Sequence, residues 1–324
     1  MKLRAVIALF FVAFAFILGK KEIYENHEFK NQNLHVVYQT RQGRMNGLYS
    51  SYYPNGVIKA KGFLENGFHK GTWIMQDSLG QLLVKREYSG PFNYKSIFPV
   101  VPRDPTVDLF DKPCYTPKRN DDGFFDLFYL EENSIVASKR IWRSINHLNN
   151  EILFNQNFLY GVIDQAIKDS VVTAYDPLTD EFWGVLETIP HVDANEVVSF
   201  MIKEDWVFDD KRNLPENRII GICPQVLDPS TGKPRNLYWI YYPQLRQQMA
   251  KIKINWKGSE GEVKTLDDLF FFRCFHSRIV KEANVYDRSV ADYTSPENRN
   301  KESDRIELSL LELEHLCWYH QTFW

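Results

Sequence analysis

The carboxylates around Trp206 are the residues whose types and spacing come nearest to chemistry. Glu204, Asp205, Asp209 and Asp210 fall within seven consecutive positions. A carboxyl group held beside an aromatic ring is the arrangement of a glycan site or a general acid. Alternate residues of a strand share a face, so Glu204 would stand with Trp206 and Phe208. An edge strand whose carboxylates are solvated, or paired with Lys203, Lys211 and Arg212, is the simpler account of the same acids. His315, Cys317 and His320 form a second group. On a helix, histidines five positions apart are turned roughly 140° from each other and do not converge on a metal. His147 and His276 are isolated. The chain carries no GxSxG, HExxH, P-loop, GxGxxG or EF-hand spacing. The sequence therefore assigns no catalytic residue, no cofactor and no metal site.

Two further groups suit recognition rather than reaction. Tyr238-Trp239-Ile240-Tyr241-Tyr242 is a dense aromatic strand. Its rings could stack on a sugar, but Tyr and Trp are also enriched at protein interfaces, so Tyr241 and Trp206 are candidate partner contacts. The C-terminal helix carries Ile306, Leu310, Leu313 and Cys317 on one stripe, with Leu308, Leu311 and Leu316 beside it. That apolar arc is wider than a surface helix normally buries, which makes Leu308 and Leu311 candidate contacts to a neighbouring subunit.

The elements that must position these residues are mixed. Ile135, Ile141, Trp142 and Ile145 have helical spacing, which predicts a helix over Ser134–Asn149. A second helix is expected over Leu159–Lys168, followed by a strand at Val171–Tyr175. Strands follow at Trp206–Phe208 and from Ile219 through Cys223 to Leu227. After a turn at Asp228–Gly232, Leu237–Tyr242 should pair back as a hairpin. Thr265-Leu-Asp-Asp268 opens a helix in near capping-box form. Ser295-Pro296-Glu297 starts the terminal helix, with Ser as N-cap and Pro in the first turn.

Ahead of these lies an internal repeat of period 24: Gly43, Gly47, Tyr49, Gly56 and Ile58 recur as Gly67, Gly71, Trp73, Gly80 and Leu82. Each unit reads as a β-hairpin, turning at Pro54-Asn55-Gly56 and again at Asp77–Gly80, and successive units should stack as a meander. Leu34–Tyr38 supplies a capping strand. Residues 89–122 hold six of the fifteen prolines. They read as an extended linker lying along a neighbouring surface, because proline blocks both helix continuation and ladder donation. Residues 123–324 are then expected to fold without residues 20–88.

Composition bounds the function. Of 324 residues, 44% are apolar, enough for a sizeable core. Residues 21–88 hold nine Lys and Arg against six Asp and Glu, whereas residues 121–324 hold 22 against 33. A second module that acidic would repel phosphate backbones and anionic membranes. Residues 1–19 read as a signal peptide: Lys2 and Arg4 precede an apolar or small run of 15 residues, Ala5–Gly19. Such a run is short for a bilayer span; an uncleaved anchor is the alternative. Cys114, Cys223, Cys274 and Cys317 have no metal spacing. They allow one disulfide in an exported chain, or buried free thiols.

The stretch GLYSSYYPNGVIKAKGFLENGFHKGTW resembles MORN-variant repeats of the YwqK toxin–antitoxin type. That resemblance implies a β-repeat module over residues 20–88, serving as spacer or binding surface. SKRIWRSI (Ser138–Ile145), TAYDPLTDEF (Thr173–Phe182), IKEDWVFD (Ile202–Asp209) and RIIGICP (Arg218–Pro224) follow in order. YWIYYPQLRQQMA (Tyr238–Ala250), TLDDLFFFRCF (Thr265–Phe275) and SRIVKEANVYDR (Ser277–Arg288) complete the series. Together they resemble the GldN/PorN family of gliding-motility and type IX secretion proteins. The resemblance implies a non-catalytic periplasmic component at the inner face of the outer membrane. It would assemble in a ring with a GldK/PorK-like lipoprotein and meet a GldM/PorM-like motor subunit. The family usually lacks the repeat, and Asn146-His147-Leu148-Asn149-Asn150 replaces a more charged stretch. The expected fold class is α+β: a β-meander of MORN-like hairpin repeats, then a mixed α+β GldN-like domain over residues 123–324. A glycan- or peptidoglycan-binding envelope protein is the alternative function.

Overall fold

A computed structural model describes residues 24–100, 117–155, 158–179, 181–182, 189–256 and 263–320. The export segment and Cys114 lie outside the described residues. The repeat region forms one antiparallel meander in strict sequence order: β1 (Glu25–Lys30), β2 (His35–Arg41), β3 (Arg44–Tyr52), β4 (Ile58–Glu65), β5 (Phe68–Gln76), β6 (Leu82–Gly90) and β7 (Asn93–Phe98). The period of 24 has a direct backbone cause: all six recurring glycines, Gly43, Gly47, Gly56, Gly67, Gly71 and Gly80, have positive φ. Gln42-Gly43 and Asn66-Gly67 are two-residue hairpin loops with positive φ at both positions, as a type I′ turn requires. The sheet runs past the expected boundary at residue 88, because the first part of the proline-rich segment supplies β7 as its last strand.

One face of this meander is apolar and covered. Tyr49, Leu64, Trp73, Met75, Val84 and Tyr88 are buried on it. Trp73 lies across Gly62 on the neighbouring strand, where an added Cβ would fall 2.2 Å from the indole. The indole N–H donates to the Phe63 carbonyl at 3.0 Å, so the ring has little freedom to move aside. Gly62→Ala is expected to destabilise the protein by about 3 kcal/mol, the upper end of the usual overpacking cost. A denaturant melt checks this, and a loss below about 1 kcal/mol would contradict the packing.

The second module is built on a sheet ordered β14-β8-β10-β11-β13-β9. Its long strands are β8 (Ile135–Asn146), β10 (Val197–Asp209) and β11 (Leu214–Leu227). Short strands are β9 (Ala174–Tyr175), β12 (Pro234–Asn236, paired to β11), β13 (Trp239–Tyr241) and β14 (Arg278–Glu282). Helices are α1 (Glu151–Phe154), α2 (Phe158–Lys168), α3 (Tyr242–Lys251), α4 (Leu266–Phe271), α5 (Val290–Tyr293) and α6 (Arg299–His320). The α+β class holds, with a seven-stranded meander before a mixed region.

Ser134–Asn149 is the main correction: it is strand β8, not a helix. Ile141, Arg143 and Ile145 are buried in alternation while Arg140, Trp142 and Ser144 point outward, a period of two. The isoleucine spacing also fits a helix, but the residues pair on both sides, with β10 and β14. The expected strand at Val171–Tyr175 shrinks to Ala174–Tyr175, and Tyr242 opens α3 with Pro243 in its first turn. The helix over Phe158–Lys168, the Thr265–Asp268 capping box and the helix start after Pro296 form as read.

Helices α2, α3 and α4 cover one half of the inner face of the second sheet, around Phe200, Ile202 and Ile222. The other half, around Ile141, Trp206 and Phe208, shares one core with α6 and the meander. Helix α6 is therefore clamped between the two sheets.

Candidate functional site

Three of the four acids around Trp206, Glu204, Asp205 and Asp209, are held in ion pairs, and Asp210 is exposed. Strand β10 is central, not an edge, so Glu204 is fully buried on the inner face. Arg143 Nε donates to it at 2.5 Å and Arg273 Nη1 at 2.8 Å. Arg143 continues to Glu307 of α6 at 2.5 Å, tying the helix to the sheet. Despite the cost of burial, the charges of Arg273 and Arg143 hold the Glu204 carboxyl below its ordinary value. A carboxylate neutralised by two guanidiniums has no proton to give at neutral pH. Asp205 is paired with Arg140 at 2.7 Å, and Asp209 with Arg212 at 2.6 Å. Trp206 is only 4% exposed, beneath α6, so the side chain proposed as a partner contact is core.

The same holds for the leucines of α6. Leu308 is fully buried and Leu311 is 8% exposed. By helical spacing they share a face with Glu312, His315 and Trp318, and that face meets the meander. Lys59 pairs with Glu312, Tyr49 Oη donates to Glu312 at 3.2 Å, and Trp318 packs edge-on to Trp73 at 6.1 Å. The wide apolar arc of α6 needs a cover. The chain itself provides one, and only Leu316 of the three side leucines stays exposed.

This seam contains buried titratable groups. His69 Nε2 and His315 Nε2 are 3.4 Å apart, with Trp73, Trp318 and Tyr88 around them. His69 Nδ1 stands 3.4 Å from Glu314 Oε1, yet that oxygen accepts no hydrogen bond. Burial, then the neighbouring His315 and Arg86 charges, pushes His69 well below its ordinary value; burial pushes His315 down too. Burial raises Glu314 to about 8. Burial also penalises Glu312, but His315 and the Lys59 ammonium overcome this and hold it at about 2. Among the described residues no three His, Cys, Asp or Glu side chains converge as a metal site.

The linkage signs give a pH profile. Both histidines bind protons more weakly in the folded state, so their contribution is present above pH 6.5 and is lost as pH falls below it. Glu314 binds its proton more tightly when folded, so its contribution declines as pH rises from 4.5 towards 8. Two protons outweigh one below pH 6.5, so for these three groups stability should peak near neutrality and fall on both sides. Melts across pH should show Glu314→Gln flattening the alkaline limb, and an unchanged limb would contradict the assignment.

A cavity of about 180 Å³ follows the seam, bounded by Tyr38 and His69 from the meander, Arg143 and Arg273 from the sheet, and Glu307 and Glu314 from α6. Its charged walls pair with one another: Arg143 with Glu307, and Arg278 with Asp304 at 2.5 Å. The seam's chemistry is that of a joint.

The outer face of the second sheet is different. Pairing registers place Lys281, Trp142, Lys203, Gly221 and Tyr241 in one row across β14, β8, β10, β11 and β13. Lys281 Nζ lies 4.6 Å from the Trp142 ring centre, and Lys203 Nζ lies 5.1 Å from that of Trp239. Gly221 lets Trp239 lie flat, since a Cβ there would approach its ring to 3.1 Å. Tyr241 is 44% exposed at the end of the row, beside a shallow hollow of about 210 Å³ walled by Tyr175, Lys203 and Trp239. Of the four residues expected to contact a partner, Tyr241 is the one the fold presents to solvent. The helical spacing of its segment conceals Trp142, which strand alternation places beside Lys203. Cys223, Cys274 and Cys317 form no disulfide with one another. No helix among the described residues is long and apolar enough to cross a membrane, which leaves strands aside.

Helix α6 is tied to the meander through Lys59 and Glu312 and to the second sheet through Arg143 and Glu307, and the second sheet's outer row ends at the exposed Tyr241. Comparison with protein-family models matches residues 130–319 to "Gliding motility associated protein GldN". The match spans more than half of the chain, and the chain belongs to the GldN family, a component of gliding-motility and type IX secretion machinery. A search of curated proteins finds no match.

Proposed function

We propose that this chain is a non-catalytic structural subunit of a type IX secretion or gliding-motility ring. In this reading it lies in the periplasm at the inner face of the outer membrane. It joins a GldK/PorK-like lipoprotein and meets a GldM/PorM-like motor subunit. The observation that carries the reading is the open row ending at Tyr241. Aromatic rings interleaved with lysines suit a protein partner, because Tyr and Trp supply large contact area at low entropic cost. The buried acids around Trp206, Glu204 and Asp209, are paired with arginines, which favours assembly over catalysis.

Tyr241→Asp should reduce capture of the purified lipoprotein's soluble domain at least about tenfold, or 1.4 kcal/mol. Its melting temperature should stay within about 2 °C of wild type, since a half-exposed side chain contributes little to the core. Undiminished capture by a folded variant would refute this face as the contact. The aromatic hollow also favours glycan stacking as a second reading. Retention of wild-type protein on purified cell-wall sacculi, lost in Tyr241→Asp, would decide for it.

A further inference from the structure

The meander buries one face against α6, and its other face has no covering element among the described residues. Pairing registers align Val37, Ser50, Lys61, Ile74, Lys85 and Phe98 in one row across six strands on that outer face. Lys61, Val37 and Phe98 are exposed. Leu48 and Phe63 are paired directly opposite each other in the adjacent row, and Leu48 is exposed. Lys61, Lys85 and Lys95 have no ion-pair partner among the described residues. This face carries apolar and cationic side chains, with Glu87 opposite Lys95 at its far edge, and it fits an acidic chain that also carries apolar residues.

Such a segment exists in the second module. Between Asp121 and Glu132 lie Asp122, Asp126 and Glu131 as well, with no Lys or Arg among them. From Asp126 to Leu130 the chain runs outside both sheets. Tyr129 is 86% exposed, and Leu127 is exposed too. Its backbone is fastened to its own module: Arg246 donates to the Phe125 carbonyl at 2.6 Å, Arg218 donates to the Phe128 carbonyl, and Arg119 ties the preceding turn to Asp268 at 2.8 Å. Asp122, Asp126 and Glu131 have contacts within the chain, to Gln247, Asn120 and Lys211. Asp121 and Glu132 are exposed and have no ion-pair partner among the described residues.

We propose that the outer face of the meander is a docking surface for a second copy of this chain, which presents its Asp121–Glu132 segment. The charge balance supports the pairing, since residues 21–88 are net basic and residues 121–324 net acidic. The chain already uses this complementarity on the inner face, where Lys59 meets Glu312. Donor and acceptor surfaces are different parts of the chain, so the contact is heterologous and propagates into a ring or filament. It is separate from the Tyr241 face, so lipoprotein capture and self-association can fail independently.

Sedimentation velocity of the full chain at about 0.05 M and about 0.5 M salt tests the contact. Wild type should associate at low salt, with affinity falling at least about tenfold at high salt. Lys61→Glu with Lys85→Glu should abolish association. Adding Asp121→Lys and Glu132→Lys to the same chain should restore it, an outcome that misfolding cannot imitate. A wild-type chain that stays monomeric at high micromolar concentration overturns the proposal, as does an absence of rescue. Binding of a monomeric chain to anionic phosphatidylglycerol vesicles, lost in Lys61→Glu with Lys85→Glu, also overturns it and assigns the face to lipid.

Discussion

A chain that begins at Asp121 should emerge molten or aggregated, despite the proline-rich segment that precedes it. Removing the meander uncovers Leu308, Leu311 and Trp318, all now buried. Each fully buried large side chain contributes about 1.5–3 kcal/mol, so uncovering three removes a sum comparable with the about 5–15 kcal/mol that stabilises a typical domain. The loss also strands Glu312, whose Lys59 partner is deleted. Loss of near-UV circular dichroism with retained far-UV signal and dye binding would show the expected state. A cooperative melt and dispersed amide resonances would instead restore the two-domain reading that the linker suggests. The meander would then be an attachment rather than half of a shared core.

Glu204→Gln should be the most damaging conservative substitution in the second module. It leaves Arg143 and Arg273 facing a neutral amide, with both guanidiniums largely withdrawn from water. Breaking a buried ion pair by removing one partner costs about 3–5 kcal/mol, which in a protein of this size is a fall in melting temperature of roughly 10 °C. Arg143 also links β10 to α6 through Glu307, so the loss should loosen the seam as well. Hydrogen exchange would show faster opening of α6 in the variant. A shift below about 1 kcal/mol would mean that the cluster is solvated and does not hold the helix.

The repeat was legible because turns constrain backbone geometry locally: six glycines at positive φ leave a period in the sequence. Helix starts were legible for a similar reason, since Thr265 and Asp268 satisfy each other's backbone N–H groups within one turn. Strand β8 was not, because its isoleucines fit two periods and only pairing with β10 and β14 decides between them. Taking it as a helix concealed the outward row of Trp142, Lys203 and Tyr241. Leu308 and Leu311 show the other limit. Their spacing shows that something must cover them, but whether that cover comes from another molecule or from the strands of the meander, more than 200 residues earlier, depends on tertiary contacts that no local pattern records. The same holds for Glu204, whose arginines come from β8 and from the turn after α4.

The central claim is that this member of the GldN family is an assembly subunit. It is tested most directly by isolating the tagged full chain from gently solubilised envelopes and identifying what comes with it. The account predicts a large particle containing a GldK/PorK-like lipoprotein in near-stoichiometric amount, and a particle depleted of that lipoprotein when the tagged chain carries Tyr241→Asp. Recovery of the wild-type chain alone, or bound to cell-wall fragments without the lipoprotein, would contradict it.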